Sequence, residues 1–199
     1  MKKIFLIAVA ALLATTALNA QDLKDVKEKL NGAHRPGFAG TFNYSKSEME
    51  TVVKQHMKDA GLKSKSSDGF MSYMGVFYKD INPGQSDIYL KVTGDKQNAT
   101  VILLVSSGYD TFLTKEIENN AKAFMKALAK EAKENAIKAQ EKVLEKATKE
   151  HASAIKNLES LEKEKVKLEE KIENAKKEIS AKAEAKANEE TVLKKLNDR

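Results

Sequence analysis

The last proline of this chain is Pro83 and its last glycine is Gly108, so residues 109–199 contain no helix breaker. Alanine, lysine and glutamate dominate this stretch, and these residues lose little side-chain freedom in an α-helix. We therefore expect residues 113–199 to form one very long, charged helix, called the arm below. A small head domain should precede it at residues 21–112.

The first twenty residues have the pattern of a secretory signal peptide. Lys2 and Lys3 give a positive start, residues 4–13 are apolar, and Ala20 offers a small residue at the cleavage point, with Ala17 as the alternative. The apolar run is shorter than the ~20 residues that span a bilayer. The chain also has no cysteine to carry a lipid or a disulfide. We expect a soluble exported protein, not a lipoprotein, and the short lysine-rich start favours a bacterial periplasm.

The charge pattern argues against a nucleic-acid partner. The formal charge of +6 falls to +4 once Lys2 and Lys3 are removed, and lysines alternate with glutamates throughout the arm. Nucleic-acid binding requires clustered cations and usually stacking aromatic residues. The arm has no aromatic residue after Phe124.

The head has the pattern of an α+β domain. At its start, Leu23, Val26 and Leu30 would lie on one side of a short helix that Gly32 ends. Residues 35–37, which contain a proline and a glycine, then predict a loop.

A second helix is predicted from its start and stop signals. Ser45 and Ser47 are each followed three residues later by a glutamate, Glu48 and Glu50, which gives two candidate capping boxes. Gly61 should end this helix.

After this helix the apolar residues follow the period of a β-strand. Segments 70–78, 88–92 and 99–105 are candidate strands, and the last is apolar enough to be central. Residues 38–44, which precede the helix, start a further element and could supply a fourth strand. Turn signals occur at residues 67–69, 82–84 and 94–98. The head should therefore contain a three- or four-stranded, mainly antiparallel sheet with one or two helices.

The first turns of the arm helix should pack on this sheet. Asp110 or Thr111 is the expected helix cap. Four apolar residues then share one face at helical spacing, namely Ile117, Ala121, Phe124 and Leu128. The next apolar face points roughly the opposite way, so the helix should leave the head near Ala132.

Beyond that point the arm has the heptad pattern of a coiled coil. An a series runs in sevens from Ile137 to Leu193, and a d series runs from Gln140 to Leu196. Lys165 interrupts the seam at an a position. Its strongest stretch, residues 154–179, contains the seam residues Leu158, Leu161, Leu168, Ile172, Ala175 and Ile179.

The flanking charges restrict how this seam can pair. In a parallel, in-register dimer Glu164 would face the partner's Glu169, and Lys171 would face the partner's Lys176, so both contacts would be repulsive. An antiparallel partner, a different chain or an intramolecular hairpin fits better. A solitary helix is also open, because seven Glu-to-Lys pairs at i,i+4 would contribute roughly 1.5–3.5 kcal/mol without a partner.

The chain shows no pattern of catalytic or cofactor chemistry. His34, His56 and His151 are scattered and lack carboxylates at ligand spacing, so we expect no metal and no cofactor. Residues 106–108 lie between the most apolar strand and the arm and are interpreted as a connector. Aromatic residues of the strand region could line a binding face, although sheet packing explains most of them. They are Tyr73, Phe77, Tyr78, Tyr89 and Tyr109.

We therefore expect a non-enzymatic exported protein in which the head docks and the arm acts as a spacer or oligomerisation element. The arm would bind a protein partner or a second copy. One alternative is a holdase chaperone, because the layout loosely resembles periplasmic chaperones that clasp unfolded outer-membrane proteins with basic helical arms. In those proteins the arm is an internal hairpin, so no residue can be matched to theirs. The other alternative is a small-ligand-binding head with an oligomerising helix.

Overall fold

The computed structural model describes residues 23–108 and 110–197, with the side chains of residues 196 and 197 left out of the description. The predicted signal peptide lies outside the described residues. The chain divides into two compact units, one ending at Lys138 and one beginning at Ala139. Its elements in chain order are β1 (Lys24–Leu30), β2 (Ala33–Phe42), α1 (Lys46–Asp59), β3 (Lys65–Ser67), β4 (Phe70–Tyr78), β5 (Asn82–Gly94), β6 (Ala99–Ser106), a 3₁₀ turn (Lys115–Ile117) and α2 (Glu118–Asn197).

The head contains one six-stranded sheet with the order β1-β2-β6-β5-β4-β3. All neighbouring strands are antiparallel. The predicted α+β class with one long C-terminal helix is therefore confirmed, whereas the predicted three or four strands are too few. The two strands absent from the prediction are β1 and β3, which form the two edges.

The predicted first helix is wrong, because these residues form strand β1. Val26 and Leu30 are four residues apart, a spacing that suits one face of a helix and also one face of a strand. The deciding signal is Asn31-Gly32, whose φ values of 50° and 80° are those of a type I′ turn. This turn joins β1 to β2 as a hairpin.

Two predicted breaks also lie inside strands. Pro36 pairs with Lys27 of β1, but the pairing of β2 with β6 begins only at Phe38, so the missing proline N–H leaves that ladder intact. Pro83 likewise lies in β5, ahead of the β5–β6 ladder, which begins at Asp87. The chain turns at residues 79–81 instead of the predicted 82–84.

The helix α1 begins with the first of the two predicted capping boxes. The Ser45 hydroxyl oxygen accepts a hydrogen bond from the Glu48 backbone N–H at 3.2 Å, and the Glu48 carboxylate accepts one from the Ser45 N–H at 2.8 Å. The alternative box at Ser47 does not form the helix start. The backbone N–H of Lys46 also donates to the carbonyl of Asp95, which ties the helix start to the β5–β6 hairpin.

Each face of the sheet carries its own apolar cluster. The larger cluster lies between the sheet and the two helices, and includes Leu90 and Leu103 from the central strands, Met49 and Val53 from α1, and Phe124 from α2. The smaller cluster lies on the opposite face and consists of Leu30, Ala39, Phe70, Tyr89, Ile102 and Leu104. The alternation of β6 produces this division, because Leu103 and Leu104 point to opposite faces.

The long helix starts later than predicted. Asp110 has a φ of 62°, which is incompatible with a helix cap, and its carboxylate pairs with Arg35 at 2.9 Å. The backbone N–H of Thr111 donates to the carbonyl of Gly108 in a turn. The 3₁₀ turn at Lys115–Ile117 then leads into α2 at Glu118.

Candidate interaction surfaces

The described residues contain no cluster of side chains that could hold a metal ion. Within residues 23–108 and 110–197, no group of three or more histidine, aspartate and glutamate side chains could hold a metal ion. His34 on β2 and His151 on α2 are exposed. None of the helices in the described part of the chain is long and apolar enough to cross a membrane.

His56 forms the centre of a hydrogen-bonded network that joins three elements. Its Nδ1 donates to Glu131 Oε1 of α2 at 2.5 Å, and its Nε2 lies 2.8 Å from the Tyr78 hydroxyl at the end of β4. The donor at Nδ1 follows from the partner, because an ionised carboxylate only accepts. The imidazole ring also packs edge-on against Phe124, with ring centroids 5.2 Å apart.

The environment of Tyr78 keeps its phenol protonated. Burial, and then the nearby carboxylates of Asp80 and Glu131, raise the pKa of Tyr78 to about 12. The phenol is therefore neutral at pH 7 and can act as a hydrogen-bond partner of His56. Neither of the two cavities described below is lined by this trio, so we interpret the network as a tie between α2 and the sheet.

A second polar contact fixes the same helix. Asn120 Nδ2 donates to the backbone carbonyl of Ile81 at 3.1 Å. Ile117, Ala121, Phe124 and Leu128, the residues predicted to pack on the head, are all buried in the larger cluster. Ala132 is buried as well, and no described residue beyond it is.

Glu131 is the member of the network that sequence reasoning missed. It lies three residues after Leu128, on the border of the apolar face of α2. An acidic residue beside an apolar face, together with a histidine on the apolar stripe of α1, is the signal that could have suggested the pair. The separation of 75 residues hides it from any local pattern.

The outer edge of β4 is the first candidate docking surface. Strand β3 pairs only with residues 70–72 of β4, so residues 73–78 have no neighbouring strand on that side in the described structure. Met74 and Phe77 are 55% and 69% exposed there. Exposed edges of this kind can accept a strand from another chain.

A bulge gives this edge a defined conformation. The register of β4 against β5 shifts around Gly75, whose φ is 63°. The Gly75 N–H donates to Asp87 Oδ1 at 2.7 Å, and its carbonyl accepts from Gln85 Nε2 at 3.1 Å. Two side chains of β5 therefore hold the irregular backbone that presents Met74 and Phe77.

The other strand aromatics do not form an open binding face. Tyr73, Tyr78 and Tyr89 are buried, and Tyr89 packs edge-on against Phe70 at 6.5 Å. Tyr109 lies outside the described residues. In the predicted connector, the Ser106 hydroxyl accepts from the Gly108 N–H at 3.1 Å, which is a local turn contact.

Two cavities of the head have mixed and exposed linings. One, of about 410 Å³, lies between the β1–β2 hairpin and the start of α2, and its lining includes Asp25, Lys27, Lys115 and Glu118. The other, of about 320 Å³, runs beside α1 and includes Lys46, Glu50 and Lys91. The first lining carries two charges of each sign, whereas the second, which also includes Lys54, carries three lysines and one glutamate.

The arm is the second candidate docking surface. In the unit that begins at Ala139, every residue from 139 to 195 is exposed apart from the half-buried Ala147. The predicted seam residues Leu158, Leu161, Leu168, Ile172 and Ile179 are 56–68% exposed, and Ala175 is exposed too. Their spacing places these side chains on one stripe of the helix.

Comparison with protein-family models, with curated proteins and with solved structures gave no match.

Proposed function

We propose that this protein is an exported, non-enzymatic interaction protein whose arm binds another protein chain through its heptad seam and whose head provides a separate docking module. The signal-peptide pattern of residues 1–20 supports export, and its short lysine-rich start favours a bacterial periplasm. The absence of cysteine supports a mature protein that is not a lipoprotein.

The observation that carries the proposal is the exposed apolar stripe of the arm. A fully buried leucine or isoleucine side chain contributes about 1.5–3 kcal/mol relative to an exposed one, so covering several of these residues is strongly favourable. Solvated helices are normally polar on all sides unless a partner covers an apolar stripe. Residues 139–197 also give the arm a helix about 90 Å long on which to bind.

The head supports a docking role in a different way. The edge of β4 offers backbone hydrogen-bonding groups together with Met74 and Phe77. The head is attached to the first turns of α2 through the Glu131–His56–Tyr78 network and the buried face around Phe124. The head thus holds the first turns of a helix whose seam residues are exposed.

In-cell photo-crosslinking tests the proposal. A photoreactive amino acid is placed at Leu161, a d position, and in a second strain at Val166, which is also apolar and 54% exposed but lies at a b position. We expect a discrete protein adduct at Leu161 and little at Val166. Equal adducts at both positions, or none at either, would overturn the proposal.

Export is tested in the same strains. We expect the cross-linked protein in the periplasmic fraction with Gln21 at its N-terminus, as read by intact-mass analysis. Retention of residues 1–20 on a cytoplasmic protein would contradict this part of the proposal.

A further inference from the structure

We propose that the partner of the arm is a second copy of the same chain, bound antiparallel with its centre between residues 159 and 160. This inference rests on the proposed role of the arm as an interaction element and adds the identity, direction and register of the partner. Two features support it, namely the charges that flank the seam and the way the seam residues match when one helix is reversed.

A parallel copy is disfavoured by its own charges. Reading e and g positions across a parallel pair brings Glu164 against the partner's Glu169 and Lys171 against the partner's Lys176. All four side chains are exposed on the arm, and each repulsion occurs twice in a symmetric dimer. In an antiparallel pair these four side chains no longer face one another in this way.

When the partner is reversed around residues 159 and 160, two large seam residues meet at the centre, and each outer pair named below includes a small or polar residue. Leu158 meets the partner's Leu161 at the centre, and the symmetric copy of this contact adjoins it. The a residue of each further layer then meets a d residue, in the pairs Ile172 with Ala147, Ala175 with Leu144, Leu168 with His151, and Ile179 with Gln140. Large side chains thus face smaller or polar ones, which suits interdigitation.

This register also accommodates the lysine that interrupts the seam. Lys165 sits at an a position and meets the partner's Ala154. A lysine stem can lie over a small residue while its ammonium group reaches solvent. The interruption of the seam is therefore compatible with pairing at this point.

The flanking positions become complementary in the reversed pair. Antiparallel helices bring g positions against g positions and e against e, so Glu150 meets the partner's Lys171 and Glu141 meets the partner's Lys176. By symmetry the dimer contains four such opposite-charge contacts. The remaining flanking pairs contain no two like charges, because each includes Val143, Thr148, Ile155 or Asn157.

Neighbouring registers lose this complementarity. Sliding the partner by one heptad in either direction replaces Lys171 opposite Glu150 by Glu164 or by Glu178. Like charges in those positions oppose pairing. The register centred between residues 159 and 160 is therefore the one that the charges select over its neighbours.

The intrahelical ion pairs leave these charges available. In the described part of the chain, Glu141, Lys171 and Lys176 take part in no ion pair within their own helix, whereas Glu150 lies 3.8 Å from Lys146. The Lys146–Glu150 pair is exposed at both side chains and is therefore weak. A second copy would supply a partner for three charges that lack one.

Cysteine crosslinking tests direction and register together, because the chain has no cysteine of its own. Ala154→Cys and Lys165→Cys are made as separate variants of the mature chain, residues 21–199, and neither removes a large apolar residue. A mixture of the two, with one variant carrying a mass tag, is oxidised under mild conditions. We expect the mixed disulfide dimer as the main product.

The two possible homodimers serve as the control. In the proposed register the two copies of residue 154 lie about 16 Å apart along the helix axis, and so do the two copies of residue 165. Disulfides need Cα atoms within about 7 Å. A predominance of disulfides between like variants would show a parallel pair, and an absence of all crosslinks would show that the partner is not a second copy; both outcomes overturn this inference.

A charge substitution provides a second test, because it should weaken an antiparallel dimer and strengthen a parallel one. Lys171→Glu turns two attractive contacts into repulsive ones in the antiparallel dimer, and we expect the dimerisation constant to weaken roughly tenfold. In a parallel dimer the same change would place the new carboxylate against the partner's Lys176 and strengthen pairing. The exchanged variant Glu150→Lys with Lys171→Glu should restore wild-type affinity.

Failure of this inference can be told apart from failure of the proposed function. A chain that stays monomeric in both experiments but gives a Leu161 adduct with a different protein in cells would overturn self-association alone. A chain that gives no seam-dependent adduct of any kind would overturn the proposed function as well.

Discussion

The backbone N–H of Asn31 donates a hydrogen bond of 2.9 Å to the carboxylate oxygen Oδ2 of Asp68, although the two residues lie in the hairpin turns at opposite edges of the sheet. Six strands laid flat would place their outer edges about 24 Å apart. The sheet must therefore curl until its edge hairpins meet. The smaller apolar cluster, with Leu30 from β1 and Phe70 from β4, lies inside this curl.

A neighbouring ion pair closes the same curl. Lys91 of the central strand β5 lies 3.2 Å from Glu28 of the edge strand β1, and its ammonium group sits 5.3 Å from the centroid of the Phe70 ring. These contacts help to explain how Phe70 and Leu104 are buried in a cluster to which neither described helix contributes a residue.

Removing the Asp68 carboxylate should destabilise the head. Asp68 has a φ of 52°, so Asp68→Gly deletes the hydrogen bond without adding backbone strain, while Asp68→Asn keeps an acceptor and tolerates this conformation. We expect Asp68→Gly to lower the free energy of unfolding by about 1 kcal/mol and Asp68→Asn to change it little. Urea denaturation followed by tyrosine fluorescence measures both, and an unchanged unfolding free energy in Asp68→Gly would show that the contact contributes nothing.

Adding a methyl group at Gly37 should be costly. A Cβ at this position would lie 2.3 Å from Leu104 Cδ2 and 2.4 Å from the Leu103 carbonyl oxygen, which is backbone and cannot move away easily. We expect Gly37→Ala to destabilise the head by about 2–3 kcal/mol. Gly84→Ala is the matched control, because its Cβ would come no closer than 3.5 Å to the Asn82 side chain. Similar unfolding midpoints for the two variants would contradict this reading of the β2–β6 contact.

Breaking the His56 network should loosen the first turns of α2. His56→Leu removes both hydrogen bonds, leaving Glu131 and the Tyr78 hydroxyl without their partner, at an expected cost of about 1–3 kcal/mol. Hydrogen exchange should rise in the segment around Phe124 and Glu131. The comparison variant Lys122→Ala loses only the exposed pair with Glu118 and should leave exchange near Glu131 unchanged. Unaltered exchange in His56→Leu would mean that the network does not hold the helix.

Alkaline pH should destabilise the head in part through Tyr78. Its pKa is about 12 in the folded protein and near 10 when unfolded, so the folded state holds the phenolic proton more tightly. The contribution to stability, on the order of 2 kcal/mol, is fully present below pH ~10 and is lost as the pH rises towards ~12.

Tyr78→Phe provides the comparison for this pH effect. The pKa values of Tyr44, Tyr73 and Tyr89 are also raised, chiefly by burial, so the wild-type curve alone does not isolate Tyr78. Between pH ~9 and ~11.5 the unfolding free energy of Tyr78→Phe should fall less steeply than that of the wild type. Parallel curves for the two proteins would contradict the raised pKa of Tyr78.

The sequence could predict the elements whose signals are local. Ser45 and Glu48 mark the start of α1, the apolar run at 99–105 marks a central strand, and the absence of Gly and Pro after Gly108 marks the long helix. The helix predicted in place of β1 is wrong because the four-residue spacing of Val26 and Leu30 fits both periods. The Asn-Gly turn after it is the stronger signal.

Long-range features could not be predicted from local pattern. Strand β3 is three polar residues long and is defined by its pairing with β4. The Glu131–His56 and Asn31–Asp68 contacts join residues 75 and 37 positions apart, and only the curl and packing of the head bring them together. The seam of the arm differs, because the heptad spacing of its residues can be read from the sequence. The exposure of those residues is seen only in the structure.

The measurement that tests the central claim most directly is sedimentation velocity on the mature chain over a wide concentration range, for the wild type, Leu161→Glu and Val166→Glu. Both substitutions place a carboxylate on an exposed apolar site of the arm, one on the seam and one off it. We predict that the wild type and Val166→Glu reach a dimer with rising concentration while Leu161→Glu stays monomeric. A monomer for all three proteins, or the same dimerisation for Leu161→Glu as for the wild type, would contradict a seam that binds a second copy.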